Sequence, residues 1–284
     1  MTTLKCKQTF FTLSLLQRIK WRAEAAWWNL SGVQKPVFDI IITTYIARFD
    51  TYLKGILFQL SRLFPGYRIV VVVNGYYDQQ QQAAYLDRLR RYASRFSGVH
   101  LVICEEPTGL STMWNRAIAA THSERLLILN DDLYLMSCFR RELQKAHLVD
   151  SRIALINDSW SHFLITRHLF QQIGPFDDRF DQVGYEDRDY EVRLACAGIR
   201  LDNVSVAGIV NCVDQPLHYS YGERIDITDD KYSSSNRKYF FRKWTISDKE
   251  SSGSVYVPRF SKWVTIPADR DRVSNSSSQL DRAD

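Results

Sequence analysis

Apolar residues recur along this chain in two alternating rhythms. Val37–Thr43, Arg68–Val73, Val99–Cys104 and Arg125–Leu129 are short runs rich in aliphatic and β-branched residues, the pattern of buried strands. Between them the spacing lengthens to three and four. Thr51–Phe64 reads as a helix ended by Pro65-Gly66. Asp78–Phe96 reads as a polar helix with Ala83, Leu86, Leu89 and Tyr92 or Ala93 on its inner side. Ser111–Thr121 reads as a third helix, with Ser111 as its cap. Strands that alternate with helices predict a parallel α/β sheet. Beyond Leu135 the order is less regular, with short strands near Ile153–Ile156 and Phe163–Thr166 and a helix from about Glu186 to Ala197.

The two ends differ from this body. In residues 8–30, Leu16, Ile19, Ala23, Trp27 and Leu30 fall at helical spacing with Arg18, Lys20 and Arg22 nearby, so an amphipathic helix is expected. Such a helix packs on the main domain or lies on a membrane surface, where tryptophans and cations meet anionic lipid. The segment from Ala268 is rich in Ser, Asp and Arg and has only Val273 and Leu280 as large aliphatics; it is expected to be disordered. The organisation expected is an extension at 1–35, a main α/β domain at 36–267 and a tail at 268–284.

Charge follows the same division. The chain of 284 residues carries net +5, and residues 1–35 hold Lys5, Lys7, Arg18, Lys20, Arg22 and Lys35 against Glu24 alone. The body is therefore neutral, which argues against nucleic acid as a partner. No apolar run reaches the roughly 20 residues of a bilayer span, and Phe10–Leu16 lacks a small-residue cleavage site, so no secretory leader is expected. The five cysteines, Cys6, Cys104, Cys138, Cys196 and Cys212, show no C-x-x-C spacing. Buried free thiols and a cytoplasmic setting are expected.

Ligands of open α/β sheets bind outside the carboxyl ends of the strands. The residues there are Thr43–Arg48, Asn74-Gly75, Glu105–Leu110 and Asn130-Asp131-Asp132. None is G-x-G-x-x-G, and the chain has no G-x-x-x-x-G-K-[ST], which weighs against an NAD enzyme and an NTPase. A phosphate binder without such a loop needs another counter-charge, commonly a divalent metal held by carboxylates. Asp131 and Asp132, adjacent at the end of the apolar run Leu126–Leu129, repel each other unless a cation lies near. The same residues also suit a solvated turn.

A second cluster, Gly174–Phe180, leads into Gly184-Tyr185-Glu186-Asp187-Arg188-Asp189-Tyr190. Asp187, Tyr190, Leu194 and Ala197 fall at spacings that put Asp187 on the inward stripe of a first helical turn, where the helix favours the ionised form. A carboxylate there can act as general base toward a hydroxyl. It can also be a capping acid paired with Arg188 or Arg193.

Taken in order, these pieces resemble the inverting glycosyltransferases of family 2, with the GT-A fold: a Rossmann-like, mixed and mainly parallel sheet flanked by helices. The resemblance runs from about Val37 to Trp244. It rests on Ile41–Arg48, Val73-Asn74-Gly75, Gly109-Leu110-Ser111 through Asn115-Arg116-Ala117, Asn130-Asp131-Asp132, Gly174–Phe180 with Glu186-Asp187-x-Asp189, and Asn236, Tyr239, Phe240, Lys243 and Trp244.

The resemblance implies roles. Asp132 would bind Mn2+ or Mg2+ bridging the donor diphosphate, with His218 as a late ligand, and Asp131 would support the metal or the ribose. Thr43, Tyr45, Arg48, Asn74 and Asn115 would line the donor pocket. Asp187 would be the acceptor base and Glu186 its orienting neighbour. The donor would be a UDP, GDP or dTDP sugar. The acceptor would be a glycan or lipid-linked glycan, as in surface polysaccharide assembly. Apart from the resemblance, the basic segment 1–35 suits a membrane contact and so a lipid-linked acceptor. Two positions depart from the family pattern: Asn130 replaces the first acid of D-x-D, and Asn74 replaces an acid that would accept a base N–H. Arg237, Lys238, Arg242 and Lys243 share one helix and either assist the diphosphate or form a solvated basic face. The rival functions are a nucleotidyltransferase, which would carry a Gly-rich loop where Thr43–Arg48 has no glycine, and a non-catalytic nucleotide-sugar-binding module.

Overall fold

A computed structural model of the protein describes residues 38–146, 151–181, 183–212 and 230–265, together with 218–219, 225–226 and Ile19, Lys20, Ala23 and Trp27. Side chains at 218–219, 225–226 and 230–233 lie outside that description. Ile19, Lys20, Ala23 and Trp27 are helical, as expected; the rest of the 8–30 helix and the tail at 268–284 fall outside the described residues.

The strands are β1 (Phe38–Thr44), β2 (Ile69–Val73), β3 (Val99–Ile103), β4 (Arg125–Asn130), β5 (Leu133–Leu135), β6 (Ile153–Ile156), β7 (Ser159–Thr166), β8 (Asp202–Val204), β9 (Ile209–Asn211), β10 (His218–Tyr219), β11 (Ile225–Asp226), β12 (Thr245–Ser247), β13 (Ser254–Val257) and β14 (Lys262–Thr265). The helices are α1 (Lys54–Leu63), α2 (Gln79–Ala93), α3 (Leu110–Ala119), α4 (Phe139–Lys145), α5 (Arg167–Ile173), α6 (Glu186–Cys196) and α7 (Asp230–Lys243).

Seven strands form the main sheet in the order β3-β2-β1-β4-β7-β6-β8. All run one way except β7, which is antiparallel to both β4 and β6. The chain builds outward from β1 to β3, then returns to lay β4 on the other side of β1. That reversal opens a crevice at the carboxyl ends of β1 and β4, where Thr43 pairs with Asn130. Both faces of the sheet are covered, so the strands are apolar throughout. Ile40, Ile42, Val71 and Leu129 face one core, with Ile56 and Leu60 of α1 and Leu89 of α2. Ile41, Val70, Val72 and Ile128 face the other, with Trp114 of α3 and Tyr190 and Leu194 of α6.

A third, smaller core joins Val192 of α6 and Phe240 of α7 to Val257 and Val264 of a separate sheet, β12-β14-β13. β5 pairs with β9, so Leu133–Leu135 is tied down just past the Asp131-Asp132 corner.

Sequence and structure part in a few places. The first helix begins only at Lys54; a 3-10 turn at Ile46–Arg48 and a π turn at Phe49–Leu53 precede it. The second helix stops at Ala93. Ser111 lies inside α3, whose cap position is Gly109, and its hydroxyl is buried without a hydrogen bond. The strand expected at Phe163–Thr166 starts four residues earlier, at Ser159, because Asn157 and Asp158 (φ 52° and 60°) make a tight left-handed turn from β6. Among the described residues no disulfide joins Cys104, Cys138, Cys196 or Cys212, the first and last of them buried. Among the described residues no helix is long and apolar enough to cross a membrane.

Candidate active site

Asp131 and Asp132 turn the corner after β4, and both are buried. Their counter-charge is Arg48, also buried, from the junction of the 3-10 and π turns after β1. Arg48 Nε lies 2.6 Å from Asp131 Oδ1, and Nη2 pairs with Asp132 Oδ2. Thr44, at the end of β1, donates its hydroxyl to Asp131 Oδ2 at 2.6 Å. The guanidinium also faces the rings of Tyr52 (5.0 Å) and Tyr45 (5.8 Å). Burial dominates at Asp131 and lifts its carboxyl to about 7 against the pull of Arg48. The Thr43–Arg48 segment and the Asn130–Asp132 corner are thus one electrostatic unit.

Whether this unit suits a divalent cation turns on its oxygens. Both Asp131 oxygens are engaged, by Arg48 and Thr44. Asp132 Oδ1 is buried and accepts no hydrogen bond, which suits a cation ligand. Among the described residues no three His, Cys, Asp or Glu side chains are grouped to hold a metal, so a cation there would draw its other ligands from the donor or from water. His218 belongs to β10, but its side chain lies outside the described residues. The histidine that does lie near Asp132 is His162 of β7. It is buried, its Nδ1 has no partner, and burial lowers it to about 4, with Asp132 acting the other way.

The other donor-side candidates are held by protein. Asn74 is buried; its Oδ1 accepts from Gly75 N and Thr108 N, each at 2.9 Å, and its amide donates to Thr108 O. It clamps the 105–108 loop against the end of β2, and Gly75 permits the close approach: a methyl group there would come 2.2 Å from the Glu106 carbonyl carbon. Asn115 of α3 donates to Phe176 O at 2.8 Å and accepts from Phe176 N at 2.9 Å. It ties α3 to the Gly174–Phe180 loop. Thr43 and Tyr45 are buried at the carboxyl end of β1.

On the opposite side, Gly184 and Tyr185 (φ 114° and 72°) turn the chain sharply into α6. A left-handed Tyr is strained, and such strain is found where a side chain must be aimed. The inward face of α6 carries Glu186, Asp189, Tyr190 and Leu194, all buried. Asp187 is half-buried at the rim and Ala197 is exposed, which corrects the inward stripe expected for both. Asp187 Oδ1 accepts from Arg188 N at 2.8 Å, while Arg193 pairs with Asp189, not Asp187. Burial raises both Asp187 and Glu186, the latter to about 8 with the negative charge of Asp187 adding to it. Glu186 is therefore held toward its protonated form, and its Oε2 accepts from Gly184 N at 2.5 Å.

Sequence reasoning missed what orients α6. Glu191 accepts from Trp160 Nε1 at 2.6 Å. Trp160 lies near the start of β7, and β7 runs antiparallel to β4, so this contact sits at the sheet end that carries Asp131 and Asp132. Asp187 precedes Glu191 by one turn, so the first half of α6 lies toward that same end. Lys243 of α7 bridges Asp177 and Asp189 at 2.6 Å each, and Trp244 Nε1 donates to Asp189 at 2.8 Å. Lys243 is thus structural, while Arg237, Lys238 and Arg242 are exposed.

The fold is the GT-A-type α/β fold. No protein-family model and no curated protein matches the chain. Solved structures do. GalNAc-T7 with UDP, GalNAc and Mn2+ is similar at a TM-score of 0.51 and 11% identity, over 73% of this chain and 48% of that one. The mannosyltransferase PcManGT from Pyrobaculum calidifontis, in complex with GDP-Man and Mn2+, is similar at 0.45 and 17%, over 66% and 63%. S. aureus TarS 1-349 is similar at 0.44 and 15%, over 59% and 57%. The chain spans less than two thirds of each of these three.

Proposed function

We propose that this protein is an inverting glycosyltransferase that moves a sugar from a nucleoside-diphosphate donor to a hydroxyl of a glycan or lipid-linked glycan. The observation that carries the reading is the pairing of two groups at one end of the sheet. A buried Asp131-Asp132 corner paired with Arg48 lies at the carboxyl ends of β1 and β4, and a raised carboxylate, Asp187, opens α6, whose Glu191 is held by Trp160 at the same end of the sheet.

Donor binding falls to Thr43, Tyr45, Arg48, Asp131 and the loops held by Asn74 and Asn115. Asp132, with His218 as a second candidate, would hold Mn2+ or Mg2+, which supplies positive charge against the leaving diphosphate. Asp187 takes the proton of the acceptor hydroxyl as its oxygen bonds to the anomeric carbon. The bond from that carbon to the diphosphate oxygen breaks on the opposite face, so configuration inverts. Glu186, raised by burial and by Asp187, is able in its protonated form to donate a hydrogen bond toward Asp187 or the acceptor and so orient either. Residues 1–35 bring the enzyme to a cytoplasmic membrane surface where a lipid-linked acceptor lies.

The test is turnover of a panel of UDP, GDP and dTDP sugars with Mn2+, alongside calorimetric titration of the free nucleoside diphosphates. Turnover lost in Asp187→Asn and metal-dependent nucleotide binding are expected. The absence of any metal-dependent nucleotide binding would sink the assignment. Liposome co-sedimentation with and without residues 1–35 tests the membrane contact; equal pelleting removes it.

A further inference from the structure

Glu191 is a buried carboxylate for which the transfer step has no use. It follows Asp187 by one turn of α6, so the two share a helix face. Its Oε1 takes the Trp160 indole and also pairs with Arg259 Nε at 2.9 Å, while Oε2 is buried with no hydrogen bond. Arg259 belongs to the short 3-10 turn Pro258–Phe260 between β13 and β14. That turn is fixed at both ends: Val257 is buried in the core shared with Val192 of α6, and Ser261 closes it at φ 51°. The same guanidinium reaches back to the β6–β7 turn, pairing with the Asp158 carboxylate and donating to Asp158 O at 3.3 Å. One side chain from the C-terminal sheet thus joins three elements next to Asp187.

We propose that Arg259 is a positioning residue for the acceptor side of the site: it holds Glu191 on the face of α6 that carries Asp187 and sets the charge both carboxylates experience. The proposal rests on the reading of Asp187 as acceptor base. The charged groups that face Asp187 are Glu186, Arg188 and Glu191 of α6 and Arg259 of the C-terminal turn; Glu191 faces Asp187, Arg188 and Arg259, with the neutral Trp160 of β7. Lys243 of α7 is taken up by Asp177 and Asp189. Burial raises both Asp187 and Glu191, Glu191 to about 7, and Arg259 is the cation from outside α6 that opposes this at both. The negative charge of Asp187 pushes Glu191 up. Loss of Arg259 therefore moves both titrations to higher pH, whereas loss of the Asp187 charge moves Glu191 to lower pH. A packing defect does not produce opposite shifts.

The experiment is a carboxyl 13C NMR titration of the full chain labelled at Asp and Glu side chains, with Glu191→Gln and Asp187→Asn assigning the signals. Arg259→Ala is expected to raise the Glu191 and Asp187 midpoints by roughly one pH unit, Arg259→Lys to stay near the parent, and Asp187→Asn to lower Glu191. The acid limb of UDP-GlcNAc or GDP-mannose turnover with Mn2+ should rise with the Asp187 midpoint in Arg259→Ala. If Arg259→Ala does not fold, Arg259→Gln, which keeps the side-chain stem, serves the same purpose. Midpoints unchanged by loss of the Arg259 charge would overturn the proposal. Full turnover in Asp187→Asn would instead overturn the base assignment beneath it, a separate result.

Discussion

The Arg48 guanidinium spans Asp131 and Asp132, with its Nε 2.6 Å from Asp131 Oδ1. All three side chains are buried, so removing the cation strands two adjacent carboxylates in a poorly solvated corner. Arg48→Met should cost about 3–5 kcal/mol, read as a fall in the urea midpoint. Added Mn2+ should recover part of the loss by binding at Asp132. A variant as stable as the parent would show that the corner needs no fixed cation.

Glu186 gives a pH dependence of definite sign. Its carboxyl is raised to about 8 by burial first and by Asp187 second. In the unfolded chain it titrates near its ordinary value of about 4.3. Between those values the folded state keeps a proton that the unfolded state has lost, so stability falls as pH rises through the window and levels above it. Glu186→Gln lacks that loss. Its advantage over the parent should grow from about pH 5 and flatten above about pH 8, reaching on the order of a few kcal/mol. Urea midpoints across that range check this, and a constant gap would contradict it.

Asp187→Asn keeps the shape of the α6 entry but cannot take a proton. Turnover should drop by roughly 10²–10⁴-fold while donor affinity, measured by titration with UDP or GDP, stays within about twofold, because the base acts on the acceptor. A large loss of donor affinity with kcat preserved would move Asp187 to the donor side.

Gly75→Ala places a methyl group 2.2 Å from the Glu106 carbonyl carbon, a main-chain atom that cannot swing away. The 105–108 loop must shift and strain its bonds to Asn74. A loss of about 1–3 kcal/mol is expected, together with weaker nucleotide binding. Thermal melts with and without UDP separate the two effects.

The sheet was largely readable from sequence because its strands are buried on both faces. Uninterrupted runs such as Ile69–Val73 have no other plausible environment. That Asp131 and Asp132 call for a cation was partly readable for a related reason: two adjacent acids after an apolar strand repel each other unless a cation lies near or the pair is a solvated turn. That the cation is Arg48 was not readable, since a 3-10 turn followed by a π turn decides where Arg48 points, and neither has a periodic signature. Asp187 was assigned to the inward stripe by counting threes and fours; the strained Gly184-Tyr185 entry rotates α6 so that Glu186 and Asp189 take the interior. Glu191 and Arg259 escaped altogether. Their pairing crosses from α6 to a small sheet of three- and four-residue strands, too short to announce themselves by alternation.

Asn115 does for Phe176 what a neighbouring strand does for a strand residue: it satisfies both the N–H and the C=O of one residue from 61 positions away. Phe176, stacked on Tyr190 at 4.3 Å, is in effect a one-rung ladder nailed to the floor of the molecule. The residues beyond it can then be exchanged or lengthened without loosening the ground they stand on.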